Sequence, residues 1–176
     1  MSPSLRSFVA DLARAEIGTT FNQYEASPLR RARLAAYLAL RASARILLVG
    51  EAAGYRGARV SGIPFTSERV LNGSGPGEAT ATIAHRVLRD LGLERDVLLW
   101  NLVPTHPHEP GNPESNRRPT RDEVEAGRTF LHRLAEGRRI VPIGRLAHAE
   151  LGGPYIRHPS HGGAEEYRAA VVQLLA

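Results

Sequence analysis

Ile46-Leu-Leu-Val-Gly50 is a continuous apolar run of strand length that ends on glycine and leads directly into Glu51-Ala-Ala-Gly-Tyr55. A run that is apolar without alternation reads as a strand buried on both faces, which is the habit of parallel sheets. A second such run is Asp96-Val-Leu-Leu-Trp-Asn-Leu-Val103. A third is Arg139-Ile-Val-Pro-Ile-Gly144, weakened by Pro142, and a short fourth is Tyr155-Ile-Arg-His-Pro-Ser160. Helical spacing of apolar residues fills the intervals at 8–17, 30–41, 79–91, 120–134 and 164–175. Gly92 follows the third of these as a C-terminal cap, and Thr120 stands three residues before Glu123, a capping box. Strands alternating with helices predict a three-layer α/β/α fold with a central four-stranded parallel sheet, one domain over residues 1–176.

The composition narrows the class. The 176 residues suffice for one domain with a core. No stretch approaches the roughly 20 apolar residues that span a bilayer, and the charged N-terminal segment reads as an amphipathic helix rather than an export signal. A cytoplasmic monomer without membrane contact is expected. Cysteine is absent, which excludes disulfides and thiolate-held metals or clusters. The net charge is +5, and all 23 basic residues are arginine. Arginine grips phosphate with a planar fork, so the excess suits a polyanionic partner; a GC-rich genome accounts for the same bias.

In parallel sheets ligands bind beyond the carboxyl ends of the strands, so the residues after each apolar run carry the functional reading. In Gly50-Glu-Ala-Ala-Gly54, the glycines permit a tight turn and close approach of the backbone to a ligand, and Glu51 is delivered into the crevice. Phe65 follows Gly62-Ile-Pro64 on a loop fixed by proline, where a ring can stack on a flat base or simply fill the core. Asn101 is a polar residue in a buried strand; its amide can read the edge of a pyrimidine or satisfy a neighbouring loop. Arg117 and Arg118 can meet phosphate or remain a solvated pair before a helix. His158, in His158-Pro-Ser-His161-Gly162-Gly163, can donate to a ligand oxygen that gains charge, or end a strand in an ordinary turn. Ser160 and the glycine amides that follow it can hold phosphate.

Taken in order, these segments resemble the uracil-DNA glycosylase superfamily, most closely its iron–sulfur branch. That branch has Gly-Glu-(Ala/Gly)-Pro-Gly, here Gly50-Glu51-Ala52-Ala53-Gly54. It has Gly-x-Pro-Phe, here Gly62-Ile63-Pro64-Phe65, and an asparagine ending the second strand, here Asn101. Its Asn-Arg-x-Pro-Thr is matched by Asn116-Arg117-Arg118-Pro119-Thr120, and its His-Pro-Ser by His158-Pro159-Ser160. The four cluster cysteines of the branch are missing, with Thr105 and Gly127 at two of their places. Ala53 replaces a proline, and Ala52 stands where the classical members carry a water-activating aspartate.

The resemblance implies an enzyme that flips a uracil or other deaminated base out of DNA and hydrolyses its glycosidic bond. It implies Glu51, Asn101 and His158 as catalytic residues. It places Gly50, Ala52, Gly54, Tyr55, Phe65 and Ser160 at the substrate, and Arg117, Arg118, His161 and Gly162 at the DNA. No metal or organic cofactor is required; a zinc site from His106, His108, His158 and His161 lacks a usual ligand spacing. A non-catalytic nucleic-acid-binding module and a nucleoside or nucleotide hydrolase are the alternative readings.

Overall fold

Leu47, Leu48 and Val49 are wholly buried, as is every residue from Val97 to Val103, so these strands are covered on both faces, as their unbroken apolar runs require. The computed structural model describes residues 3–160 and 162–175. In chain order it contains α1 (Pro3–Arg14), α2 (Pro28–Leu40), β1 (Ile46–Ala52), α3 (Ala58–Ser61), α4 (Glu68–Asn72), α5 (Ala79–Asp90), β2 (Val97–Val103), α6 (Arg121–Ala135), β3 (Arg139–Pro142), α7 (Arg145–Leu151) and α8 (Ala164–Leu175).

The sheet is parallel in the order β2-β1-β3, with Gly50 beside Asn101 and Val49 beside Pro142. It has three strands among the described residues, where four were expected. The segment 155–160 contributes a single parallel bridge, Ile156 to Ile143. There the Ile156 N–H donates to the Pro142 carbonyl at 3.1 Å, and the Gly144 N–H donates to the Ile156 carbonyl at 2.8 Å. The ladder cannot extend toward the N-terminus, because Pro154 has no N–H. It cannot extend the other way, because Gly144 turns at φ 85° into α7 and its carbonyl accepts the His148 N–H at 3.1 Å.

Three contacts fix β2. Phe8 of α1 meets Trp100 edge-on at 5.6 Å and Phe130 of α6 at 5.7 Å. Gly127 lets α6 lie close, since a Cβ there would collide with the Leu102 carbonyl. The Tyr37 hydroxyl of α2 closes the outer edge of β2, accepting the Leu99 N–H at 2.8 Å and donating to the Leu99 carbonyl at 3.3 Å. At the start of α6 the Thr120–Glu123 capping box is formed as the sequence predicts, and Gly92 follows α5 in the left-handed conformation, φ 69°.

The polar segment between α1 and α2 is tied to the loop after β2. Phe21 and His106 exchange backbone hydrogen bonds, the Gln23 amide donates to the Pro104 carbonyl at 2.8 Å, and the hydroxyls of Thr20 and Thr105 are bonded to each other. Among the described residues no helix is long and apolar enough to cross a membrane.

Candidate active site

Strands β1 and β2 end side by side, and the in-register pair Gly50–Asn101 marks the floor of the site. Phe65 lies over it. A Cβ at Gly50 would run into the Phe65 ring and stand 3.1 Å from Asn101 Oδ1, so glycine is what lets ring and amide meet above the strand. Phe65 holds a left-handed backbone, φ 53°, a strain of about 1–3 kcal/mol that persists only where neighbours enforce it. The neighbours are visible. Ser61 Oγ accepts the Ile63 N–H at 3.0 Å and donates to the Thr66 carbonyl at 2.6 Å. The Thr66 hydroxyl is bonded to His85 Nε2 of α5 at 2.9 Å. Burial holds the His85 imidazole down at about 4, so it is a neutral prop at physiological pH.

Phe65 and Asn101 line an inner pocket with Glu51, Ala52, Gly54, Ala58, Glu78, Thr80 and His158, a cavity of about 60 Å³. It opens into an outer cleft of about 790 Å³ edged by Asn116, Arg117, Arg145, Tyr155, Arg157 and Ser160. Asn101 is 3% exposed, yet no described residue makes a hydrogen bond to its side-chain amide. Its polar atoms open onto the pocket rather than being sealed in the core. On the facing wall, His158 Nδ1 accepts from the Ser160 N–H at 3.3 Å and lies 2.7 Å from the Ser160 hydroxyl. With Nδ1 an acceptor, a neutral ring carries its proton on Nε2 and is a donor there.

Two carboxyl groups stand where the inner pocket meets the cleft. Burial raises the Glu51 pKa, opposed by the charge of Arg118. Burial raises Glu78 as well, with no opposing charge. Sequence reasoning missed Glu78. Its signal was its position: it is the N-cap of α5, where Ser, Thr, Asp or Asn is preferred, and its side chain makes no capping bond. Instead the carboxylate presses against Gly54 and Gly57, where a Cβ would collide with it.

The remaining expected residues fall into two groups. Ala52, Gly54 and Ser160 line the pocket or cleft as expected. Tyr55 does not line the pocket; its N–H donates to Asn116 Oδ1 at 3.0 Å, and its ring carries the Arg56 guanidinium at 5.2 Å. Arg117 reaches the cleft, but its five N–H groups are all engaged. They donate to the His108 and Arg118 carbonyls, to Thr19 Oγ1 and to both oxygens of Glu123. Arg117 thus braces the loop and leaves no donor for phosphate, contrary to its expected DNA contact. Arg118 is exposed, and Gly162 turns at φ 78° with open space around it. His161 lies outside the described residues. His106 also braces: Nδ1 lies 2.8 Å from the Ala53 carbonyl and pins the turn after β1. Among the described residues no group of three or more His, Asp or Glu side chains could hold a metal ion.

Fold and site together define an α/β protein with a pocket at the carboxyl edge of a parallel sheet, walled by the Phe65 ring, the Asn101 amide and His158. The sequence profile of the Uracil DNA glycosylase superfamily matches residues 39–174, and the chain belongs to that superfamily. Its fold is similar to the crystal structure of wild-type SMUG2 from Pedobacter heparinus, with a TM-score of 0.69 at 14% identity over 97% of each chain. No curated protein sequence matches the chain.

Proposed function

We propose that this protein is a DNA glycosylase that hydrolyses the N-glycosidic bond of an extruded uracil or other deaminated base. The observation that carries the reading is the Asn101 amide, which no described residue hydrogen-bonds, opening onto a pocket shared with Phe65, Glu51 and His158. The target nucleotide leaves the stack at a cost of a few kcal/mol, least for a mismatched base. Its base enters against Phe65, and the Asn101 amide supplies one donor and one acceptor to its polar edge. As the C1′–N bond breaks, the electron pair leaves with the base and the sugar becomes cationic. His158 Nε2–H then donates to the base oxygen on which charge develops. A carboxylate at Glu51 can offset the sugar cation and orient a water, whose oxygen bonds to C1′ while its proton goes to the Glu51 carboxylate and from there to the departing base anion. Arg118 and Arg145 lie on the exposed side, where the DNA backbone would run, and Arg157 beside them is paired with Glu166.

The test is single-turnover incision of oligonucleotides carrying uracil, hypoxanthine, xanthine or a thymine mismatch, with alkaline cleavage of the abasic product. Release of at least one of these bases is expected. No release from any, in single- or double-stranded DNA, overturns the enzyme and leaves a nucleic-acid-binding module.

A further inference from the structure

We propose that Glu78 is a base-contacting residue of this pocket, a second carboxyl that helps decide which bases are released. The inference rests on the glycosylase reading and adds to it a residue outside the motifs that carry that reading. Glu78 caps α5, an element apart from those that deliver Glu51, Asn101 and His158, yet it lines both the inner pocket and the outer cleft.

Three observations carry it. First, Glu78 gives up its local use. At an N-cap a side-chain oxygen ordinarily accepts an N–H of the first turn, but the Glu78 carboxylate leaves that position and lies over Gly54 and Gly57. Second, the chain makes room for it. At Gly54 a Cβ would stand 2.6 Å from Glu78 Oε1, and at Gly57 a Cβ would strike Oε2, so both glycines of this turn accommodate one carboxyl group. Third, its partners are missing. Among the described residues no hydrogen bond or ion pair reaches its side chain, and the Asn101 amide in the same cavity is equally without a partner. Both groups keep their hydrogen-bonding capacity free toward the cavity, where a ligand with a polar edge can use it.

Burial favours the protonated form of Glu78, and a protonated carboxyl offers one donor and one acceptor, as an amide does. Glu51, by contrast, feels Arg118 and is the better candidate to remain ionised beside the sugar cation. Glu51 is on β1 and Glu78 at the start of α5; in this proposal Glu51 serves the sugar and water and Glu78 the base. A base that presents N–H and C=O groups on two sides can be held by Asn101 and Glu78 together.

The experiment measures single-turnover release from the four-base panel by wild type, Glu78→Ala and Glu78→Gln, with melting temperatures of all three. Glu78→Ala is expected to slow release of the preferred base at least tenfold and to change the ratios among bases by threefold or more. Glu78→Gln, which keeps a donor and an acceptor, is expected to recover much of that loss. Wild-type rates and ratios in both variants overturn the proposal. An equal loss on every base also overturns it, because it points to a role at the sugar or in the fold. An inactive wild type refutes the glycosylase reading itself, a different outcome from active but indifferent variants.

Discussion

Two acidic sites of this molecule make opposite use of burial. Glu123 is 1% exposed, and its oxygens receive Arg117 and the N–H groups of Thr120 and Thr19. Burial alone would raise its pKa, but these partners hold it below the usual carboxylate range. Glu51 and Glu78 are less buried, lack such partners and are raised. The first site is a clasp: Arg117 and Glu123 join the loop after β2, the start of α6 and the turn at Thr19. The second is a pocket whose two carboxyl groups have no protein partner among the described residues. Satisfied polar groups hold structure together, and unsatisfied ones around a cavity indicate where binding occurs.

The largest expected effect breaks the clasp. Arg117→Ala leaves Glu123 buried without its cation, at a cost of about 3–5 kcal/mol. For a domain of this size that lowers the melting temperature by more than about 6 °C. Glu123 also gives the clasp a pH dependence. Its folded pKa is lowered, so its stabilisation is complete above the unfolded value near 4.5 and is lost as pH falls through the folded value. Urea unfolding across pH 3–7 should show that acid-side slope in the wild type and a smaller one in Glu123→Gln. Equal slopes would remove Glu123 from the account.

Next in size is Gly50→Ala. The added methyl displaces the Phe65 ring, costing about 1–3 kcal/mol of stability by overpacking. Gly50→Ala combined with Phe65→Leu should recover stability without recovering base release. Additive losses in the double variant would show that the ring does not depend on the glycine.

The pocket side predicts the reverse of the clasp. Asn101→Leu removes an amide with no protein partner, so stability should stay level or rise by up to about 1 kcal/mol while base release collapses. A loss of more than about 1 kcal/mol in denaturant unfolding would reveal a structural partner for the amide. The smallest expected change is in Glu51→Gln. A raised folded pKa means that the ionised form costs stability above it, so this variant should be slightly more stable at neutral pH and indistinguishable at acid pH.

Much of this comparison was legible in the sequence. Unbroken apolar runs identified β1 and β2, and the Thr120–Glu123 spacing identified the start of α6. Glu51 and Asn101, at the ends of these strands, and His158, in the segment read as a fourth strand, converge on one pocket. The fourth strand was misread because an apolar pattern does not reveal that Pro154 lacks the needed N–H and that Gly144 turns into α7. Arg117 was misread because sequence shows a guanidinium but not the acceptors that occupy it. Glu78 was missed because its place in the pocket depends on a side chain turning away from the helix it caps toward glycines more than twenty positions earlier, a relation no local pattern encodes.

The central claim is that Asn101 and His158, which line one pocket, act on an extruded base. The most direct test is single-turnover base release by wild type, His158→Ala and Asn101→Ala on the best substrate of the panel, with DNA affinity measured alongside. The account predicts that His158→Ala slows release about a hundredfold, the usual worth of one donor aimed at a developing anion, with affinity nearly unchanged. It predicts that Asn101→Ala loses both rate and discrimination among bases. Wild-type rates in both variants would contradict it.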